Sequence, residues 1–169
     1  APSTFFYDFS EENVLDNFTL LDKDGDGYNW FIMNNGIDGK SVVSESWRSG
    51  AGALNPNNYI VTKEKYVIKS TSKLSFEYFS AYDEKIGVEI STDGVTFTNI
   101  WSDAGKFSSK EAEISLAEYE GQELYIALRH YECSDGMTAV VDNLSLENSD
   151  GDFVTDRKST RLNSSHQVL

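Results

Sequence analysis

Cysteine occurs once in the 169 residues, at Cys133, so no disulfide can close within the chain. That scarcity does not assign a compartment, because bound metal ions staple some extracellular domains as disulfides staple others. Proline is nearly absent, at Pro2 and Pro56 alone. No apolar run approaches the roughly 20 residues that a membrane-spanning helix needs. Positive charge is also scarce: 14 Lys and Arg stand against 28 Asp and Glu, a formal net charge of −14. The last thirteen residues, RKSTRLNSSHQVL, hold three of the basic residues and none of the acidic ones, so residues 1–156 set 11 basic against 28 acidic, or −17. Such a surface repels nucleic acid and anionic membrane and suits divalent cations. Aromatic residues at 13% and hydrophobic residues at 39% exclude a disordered acidic chain. The length suffices for one domain with a real core.

What is present alternates with the period of strands. LSFEYFS (74–80) sets Leu74, Phe76 and Tyr78 against Ser75, Glu77 and Phe79. IGVEIST (86–92) and VTFTNIW (95–101) flank Asp93-Gly94, a short-hairpin signal. ELYIALRHYE (123–132) puts Leu124, Ile126, Leu128 and His130 on one face, and MTAVVDNLSLE (137–147) does the same for Val140, Asp142, Leu144 and Leu146. Shorter strands are expected at 5–9, 17–22, 28–33, 41–46 and 58–62, and SSKEAEISLAEYEG is expected to be a strand with a turn rather than a helix. About ten strands divided by Gly, Asn and Asp turns predict an all-β sandwich of two antiparallel sheets over residues 5–147. Residues 148–156 read as a polar linker. Residues 157–169 reverse the charge sign, carry no strand pattern and read as a non-native or disordered tail. Ala1 in place of Met predicts a processed or excised piece.

One stretch carries chemistry on its face. DKDGDGY (22–28) places Asp22, Asp24 and Asp26 at positions 1, 3 and 5 of a calcium loop, Gly27 at 6 and the Tyr28 carbonyl at 7. Position 12 falls on Met33, which cannot ligate a hard cation, so this is half of an EF-hand loop. Three carboxylates within five residues repel one another, and a cation relieves that repulsion. The competing reading is a solvated acidic turn. If calcium binds, the missing ligands come from elsewhere in the chain. Asp142 follows two valines on the apolar side of its strand, and Asp8 is framed by aromatics, where an ion pair and a metal both answer the cost of burial. Asn55 precedes Pro56 in an extended or turn conformation, leaving its amide oxygen to ligate.

Four stretches in order, FTLLDKDGDGYNW, SWRSGAGALNPNNYIVT, VEISTDGVTFTNIW and IALRHYECSDGMTAVVDNLSLEN, resemble the cleaved adhesin family, the modules of gingipains and related haemagglutinins that also occur as choice-of-anchor domains on bacterial surface proteins. The chain departs from the family at Asn17-Phe18, where a Trp is usual, at Asp8, where Glu is usual, and at Asn143, where a second Asp is usual. The resemblance implies a jelly-roll sandwich, stabilised by calcium, serving adhesion or accessory binding without catalysis. It implies one calcium site from Asp8, Asn55 and Asp142, with the Phe6 carbonyl as a further ligand. It implies a second from Asp22, Asp24, Asp26 and the Tyr28 carbonyl, with Asn143 to close it. Asp142 and Asn143 face opposite ways in a regular strand, so serving two sites needs either a bulge there or the strand's end. All candidate donors are oxygens and no Cys/His pair is spaced for zinc, so calcium is the expected cofactor.

Three function classes follow. The first is an adhesive module of a larger surface or secreted protein, extracellular, binding host or matrix proteins. The second is a carbohydrate-binding module. The third is a purely structural, calcium-stapled spacer beside a catalytic domain. Trp47 and Tyr82, in turn-rich segments, are the candidate sugar-stacking rings, against the expectation that both pack under loops. His130 and Cys133 in RHYECSD invite a nucleophile-and-base reading, but the alternation places His130 in the core. Arg129 is expected to pair with a surface carboxylate.

Overall fold

The computed structural model describes residues 1–150 apart from Lys106, with the backbone alone of Ser108. The tail at 157–169 and all but the first residues of the linker lie outside the described residues. Fourteen strands are present among them: β1 (Phe5–Tyr7), β2 (Phe18–Asp22), β3 (Phe31–Met33), β4 (Ser41–Glu45), β5 (Trp47–Arg48), β6 (Gly52–Ala53), β7 (Asn58–Thr62), β8 (Tyr66–Val67), β9 (Lys73–Ser80), β10 (Glu84–Ser91), β11 (Thr98–Gly105), β12 (Ser108–Ser115), β13 (Glu123–His130) and β14 (Thr138–Glu147). One six-stranded sheet runs β12-β9-β14-β4-β3, with β1 also on β14. The other runs β11-β10-β13-β7-β2, with β8 also on β13. Every pairing is antiparallel, and β5 and β6 form a separate ribbon. This is the sandwich of two antiparallel sheets that the alternation predicts, in the jelly-roll form that the family resemblance implies.

The core lies between the sheets. Leu74, Phe76 and Tyr78 of β9 and Val141, Leu144 and Leu146 of β14 meet Ile86, Val88 and Ile90 of β10 and Leu124, Ile126 and Leu128 of β13. Each such side chain contributes about 1.5–3 kcal/mol on full burial. Trp30 is 2% exposed and donates its indole N–H to the Asn58 carbonyl at 3.0 Å, which draws residues 28–30 out of the strand expected there. The Asp93-Gly94 hairpin is wider than its signal suggests. The Asp93 carboxylate accepts the N–H groups of Val95 and Thr96, both at 2.8 Å, so β11 begins only at Thr98.

The alternation on β14 fails in an instructive way. Val140, Asp142, Leu144 and Leu146 do not share a face. Ala139 and Val141 point into the core, and so do Leu144 and Leu146. Asn143, at φ 50°, absorbs the change of parity, and the register against β9 shifts between Asp142 and Ser145. This is a bulge, in which an extra residue bends one strand and re-aims its side chains. It leaves Asp142 at 0% and Asn143 at 1% exposure.

Arg129 does not pair with a surface carboxylate. Its guanidinium donates to Glu89, a residue 2% exposed, at 3.0 Å and to the Asn57 side-chain oxygen at 2.8 Å, and it lies 4.1 Å over the Tyr131 ring. Lysine offers neither the fork nor the flat stacking face. Arg129→Lys is expected to cost about 1–2 kcal/mol, a melting loss of roughly 3–6 °C for a domain of this size. An unchanged thermal melt would refute that account.

Candidate cation sites and an exposed aromatic pair

The DKDGDGY loop leaves the end of β2 and passes the start of β7. Gly25 and Gly27 adopt φ 71° and 84°, a conformation that costs other residues dearly. Their N–H groups reach back to the two oxygens of Asp22 at 3.0 and 2.7 Å. Asp26 accepts the Tyr28 N–H at 2.8 Å, and Asp24 accepts the Asn57 N–H at 3.0 Å. One carboxylate oxygen from each of Asp22, Asp24 and Asp26 lies within 4.8 Å of the others. Partial burial, together with the neighbouring Asp26 and Asp22 carboxylates, pushes Asp24 up to about 6, against the lowering effect of the Asn57 N–H. With its amide nitrogen turned toward the loop, Asn58 donates to Asp24 at 3.0 Å and to the Tyr28 carbonyl at 3.2 Å, and its oxygen accepts the Ser44 hydroxyl at 3.1 Å.

The second cluster gathers around the bulge. Asp142 accepts the Asn143 N–H at 2.8 Å with one oxygen. Its other oxygen accepts the Ser41 hydroxyl at 2.9 Å and the Asp38 N–H at 3.2 Å. Tyr7, the last residue of β1, pairs with Leu144, and Asp8 follows it in sequence. The Asp8 carboxylate, 7% exposed, accepts from the Ser10 N–H and hydroxyl at 3.0 and 2.6 Å. Phe6 pairs with Ser145 one step earlier on β1. The side-chain nitrogen of Asn143 donates to Glu77 at 3.1 Å. Asn143 Oδ1 and Asp38 Oδ2 are buried with no hydrogen-bond donor. An orphaned buried acceptor costs about 1–3 kcal/mol.

The two asparagines lie apart from the partners that the resemblance implies for them. The Asn143 side chain donates to Glu77 and its N–H to Asp142, not to the DKDGDGY loop. Asn55 does not join Asp8 and Asp142. It is exposed, two residues before Asn57, whose N–H bonds Asp24 in the loop. Glu77 and Asp38 were missed by sequence reasoning. Glu77 looks like an ordinary outward residue of an alternating strand, and Asp38 arrives from a loop over a hundred positions away.

Trp47 and Tyr82 do not pack under loops. They are 42% and 45% exposed. Tyr82 meets Phe107, itself 59% exposed, edge to face at 4.7 Å. Both rings project from turns with positive φ, 67° and 54°. Nearby, Met33, Ile37, Phe79, Ala81, Met137 and Val140 line a groove of about 410 Å³ on the outer face of the β9–β14 sheet.

His130 is fully buried, as the alternation requires, yet it touches Cys133 with 3.3 Å between Nε2 and Sγ. Burial and the Glu84 carboxylate push the thiol up to about 11, which keeps it protonated and a poor nucleophile at neutral pH. Burial alone would raise Glu84, but bonds from His130, the Met137 N–H and Ser46 hold it below the ordinary carboxylate range. Among the described residues no helix is long and apolar enough to cross a membrane.

The fold and site define a two-sheet jelly-roll module with acidic clusters, and comparison with known proteins narrows it. The profile of the cleaved adhesin domain matches residues 3–111 and 98–146. The chain belongs to the cleaved adhesin family. It is similar to Hemagglutinin A of Porphyromonas gingivalis strain W83, 29% identical over 182 aligned positions, covering 86% of this chain and 8% of that protein. A Lys-gingipain of the same species is 26% identical over 81% of this chain and 9% of its own length. The chain therefore spans under a tenth of these relatives. Among solved structures, the K1 cleaved adhesin domain of Lys-gingipain superposes with a TM-score of 0.73 at 22% identity, over 87% of this chain and 99% of that one. The CBM22-1 xylan-binding domain of a Paenibacillus barcinonensis protein reaches 0.54 at 12% identity, over 88% and 97%.

Proposed function

We propose that this chain is a non-catalytic adhesion module of a larger extracellular or cell-surface protein, stabilised by calcium and binding host or matrix proteins. The observation that carries this reading is the family match across residues 3–146 together with the likeness to Hemagglutinin A. The protonated Cys133 thiol supports the absence of nucleophilic catalysis. The exposed Tyr82–Phe107 pair and the apolar groove beside it supply a surface for a ligand, since aromatic anchors dominate interface energetics. Calcium fits the donors: Asp22, Asp24, Asp26 and the Tyr28 carbonyl in one place, and Asp8, Asp142 and Asn143 Oδ1 in the other, all oxygen. In the second place a cation would satisfy the orphaned Asn143 oxygen and join β1 to β14.

The carbohydrate-binding reading stands second, favoured by the same exposed rings, which suit pyranose faces. A matrix-protein array and a glycan array, both probed in saturating calcium, separate the two. Binding to a matrix protein that falls about tenfold or more in Tyr82→Ala/Phe107→Ala is the expected result. Binding to glycans alone would replace the first reading with the second. Binding indifferent to the double substitution would move the ligand surface elsewhere.

A further inference from the structure

Glu84 opens β10, His130 closes β13 and Cys133 lies in the loop beyond, so three metal-ligating side chains meet in the cleft between the sheets. We infer that Glu84, His130 and Cys133 form a site for zinc or a similar soft divalent ion, separate from the calcium sites. The first ground is convergence. His130 Nε2 lies 2.9 Å from Glu84 Oε1 and 3.3 Å from Cys133 Sγ, and one ligand atom from each of the three side chains falls within 4.8 Å of the others. The Ser44 hydroxyl holds the other ring nitrogen, Nδ1, at 2.7 Å, so the ring is fixed with Nε2 toward the carboxylate and the sulfur. A metal ion bound in place of the protons on these three groups takes nitrogen, oxygen and sulfur together.

The second ground is the shape of the triangle. Zinc at about 2.3 Å from S, about 2.05 Å from N and about 2.0 Å from O, in tetrahedral geometry, spaces its ligands about 3.3 Å (N···O), 3.6 Å (N···S) and 3.5 Å (S···O) apart. The chain holds them at 2.9, 3.3 and 4.0 Å. Shifts of a few tenths of an ångström complete the fit, and Cys133, half-buried in a loop, is free to make them. The third ground is the support behind the ligands. A zinc-bound His donates its other N–H to an oxygen, as His130 does to Ser44, and ligating carboxylates are themselves hydrogen-bonded. Glu84 Oε2 accepts the Met137 N–H at 2.9 Å. A Cβ at Gly136 would collide with that same oxygen, so the loop closes on the carboxylate only with glycine there. The ligands lie 46 and 49 positions from Glu84 in sequence, which is why the HYEC spacing alone does not show the site. Solvent completes the fourth position.

Cobalt(II) titrated into the full chain, reduced and in saturating calcium, tests this. The expected result is one equivalent of tightly held cobalt with thiolate-to-metal charge-transfer absorption, displaced by zinc and absent in Cys133→Ser. Zinc should also slow alkylation of Cys133 by at least tenfold. The calcium-dependent melting shift of both proteins serves as the control for folding. A cobalt spectrum without the thiolate band, a spectrum unchanged in Cys133→Ser, or alkylation indifferent to zinc would each overturn the assignment.

Discussion

Asp142→Ala should unfold this domain more readily than any other single carboxylate deletion in the two acidic clusters. The substitution strands three donors at once, the Ser41 hydroxyl and the N–H groups of Asp38 and Asn143. Each orphaned buried donor costs about 1–3 kcal/mol. A total of about 4 kcal/mol corresponds to a melting loss of roughly 8–16 °C. Asp24→Ala, in saturating calcium, removes one of three neighbouring carboxylates on an exposed loop and is expected to cost about 1 kcal/mol, roughly 2–4 °C. Asp142→Asn keeps an acceptor in place and should fall between the two. Equal losses for Asp142→Ala and Asp24→Ala would count against a special role for the bulge.

The second large effect is that of calcium itself. An ion that binds only the native state at a hundredfold excess over Kd stabilises it by about 2.7 kcal/mol per site, roughly 5–11 °C. Magnesium should not reproduce the shift, because it keeps its waters and tolerates little departure from an octahedron. Asp24 gives the test a change of sign. Its folded-state pKa is raised to about 6, above the ordinary value of 3.8, so the folded state prefers the protonated form. Ionisation of Asp24 therefore costs stability above about 6, and that cost disappears as pH falls through 6 toward 3.8. Glu84, Asp93, Asp103 and Glu132 have lowered pKa values and withdraw their stabilisation only below the ordinary carboxylate range. In chelator, then, the Asp24 contribution should raise the melting temperature as pH drops from about 6 toward 3.8. Asp24→Asn should melt higher than the wild type in chelator and lower in calcium. A melt unmoved by calcium, chelator and Asp24→Asn alike would make DKDGDGY an acidic turn.

The architecture was legible because alternation on β9 and β13 is long and regular. Leu74, Phe76, Tyr78, Leu124, Ile126, Leu128 and His130 are all buried on the faces that period assigns them. The DKDGDGY cluster was legible because its carboxylates are local, and their mutual approach follows from spacing alone. The rest depends on a single backbone torsion and on distant partners. A bulge at Asn143 reverses the parity of half of β14, and no side-chain pattern announces it, since Val140 and Val141 are equally apolar. That reversal sends the Asn143 side chain to Glu77. Glu84 was invisible for the same reason: nothing within ten residues marks it as the partner of His130.

Strands β1 and β14 lie side by side with their outer ends together, Phe5 opposite Leu146, and Asn148 bonds Ser3 beyond them. A load applied through the chain at these two points pulls both strands from the same edge. The rungs Phe5–Leu146, Phe6–Ser145 and Tyr7–Leu144 then open one after another, as a zipper does, rather than resisting together in shear. The force needed is that of one rung at a time, until the tear reaches Asp8 and the bulge. On the calcium reading proposed above, a cation clasped there would be the rivet at the end of the seam, and the ion content of the surroundings would set how far the domain peels under tension.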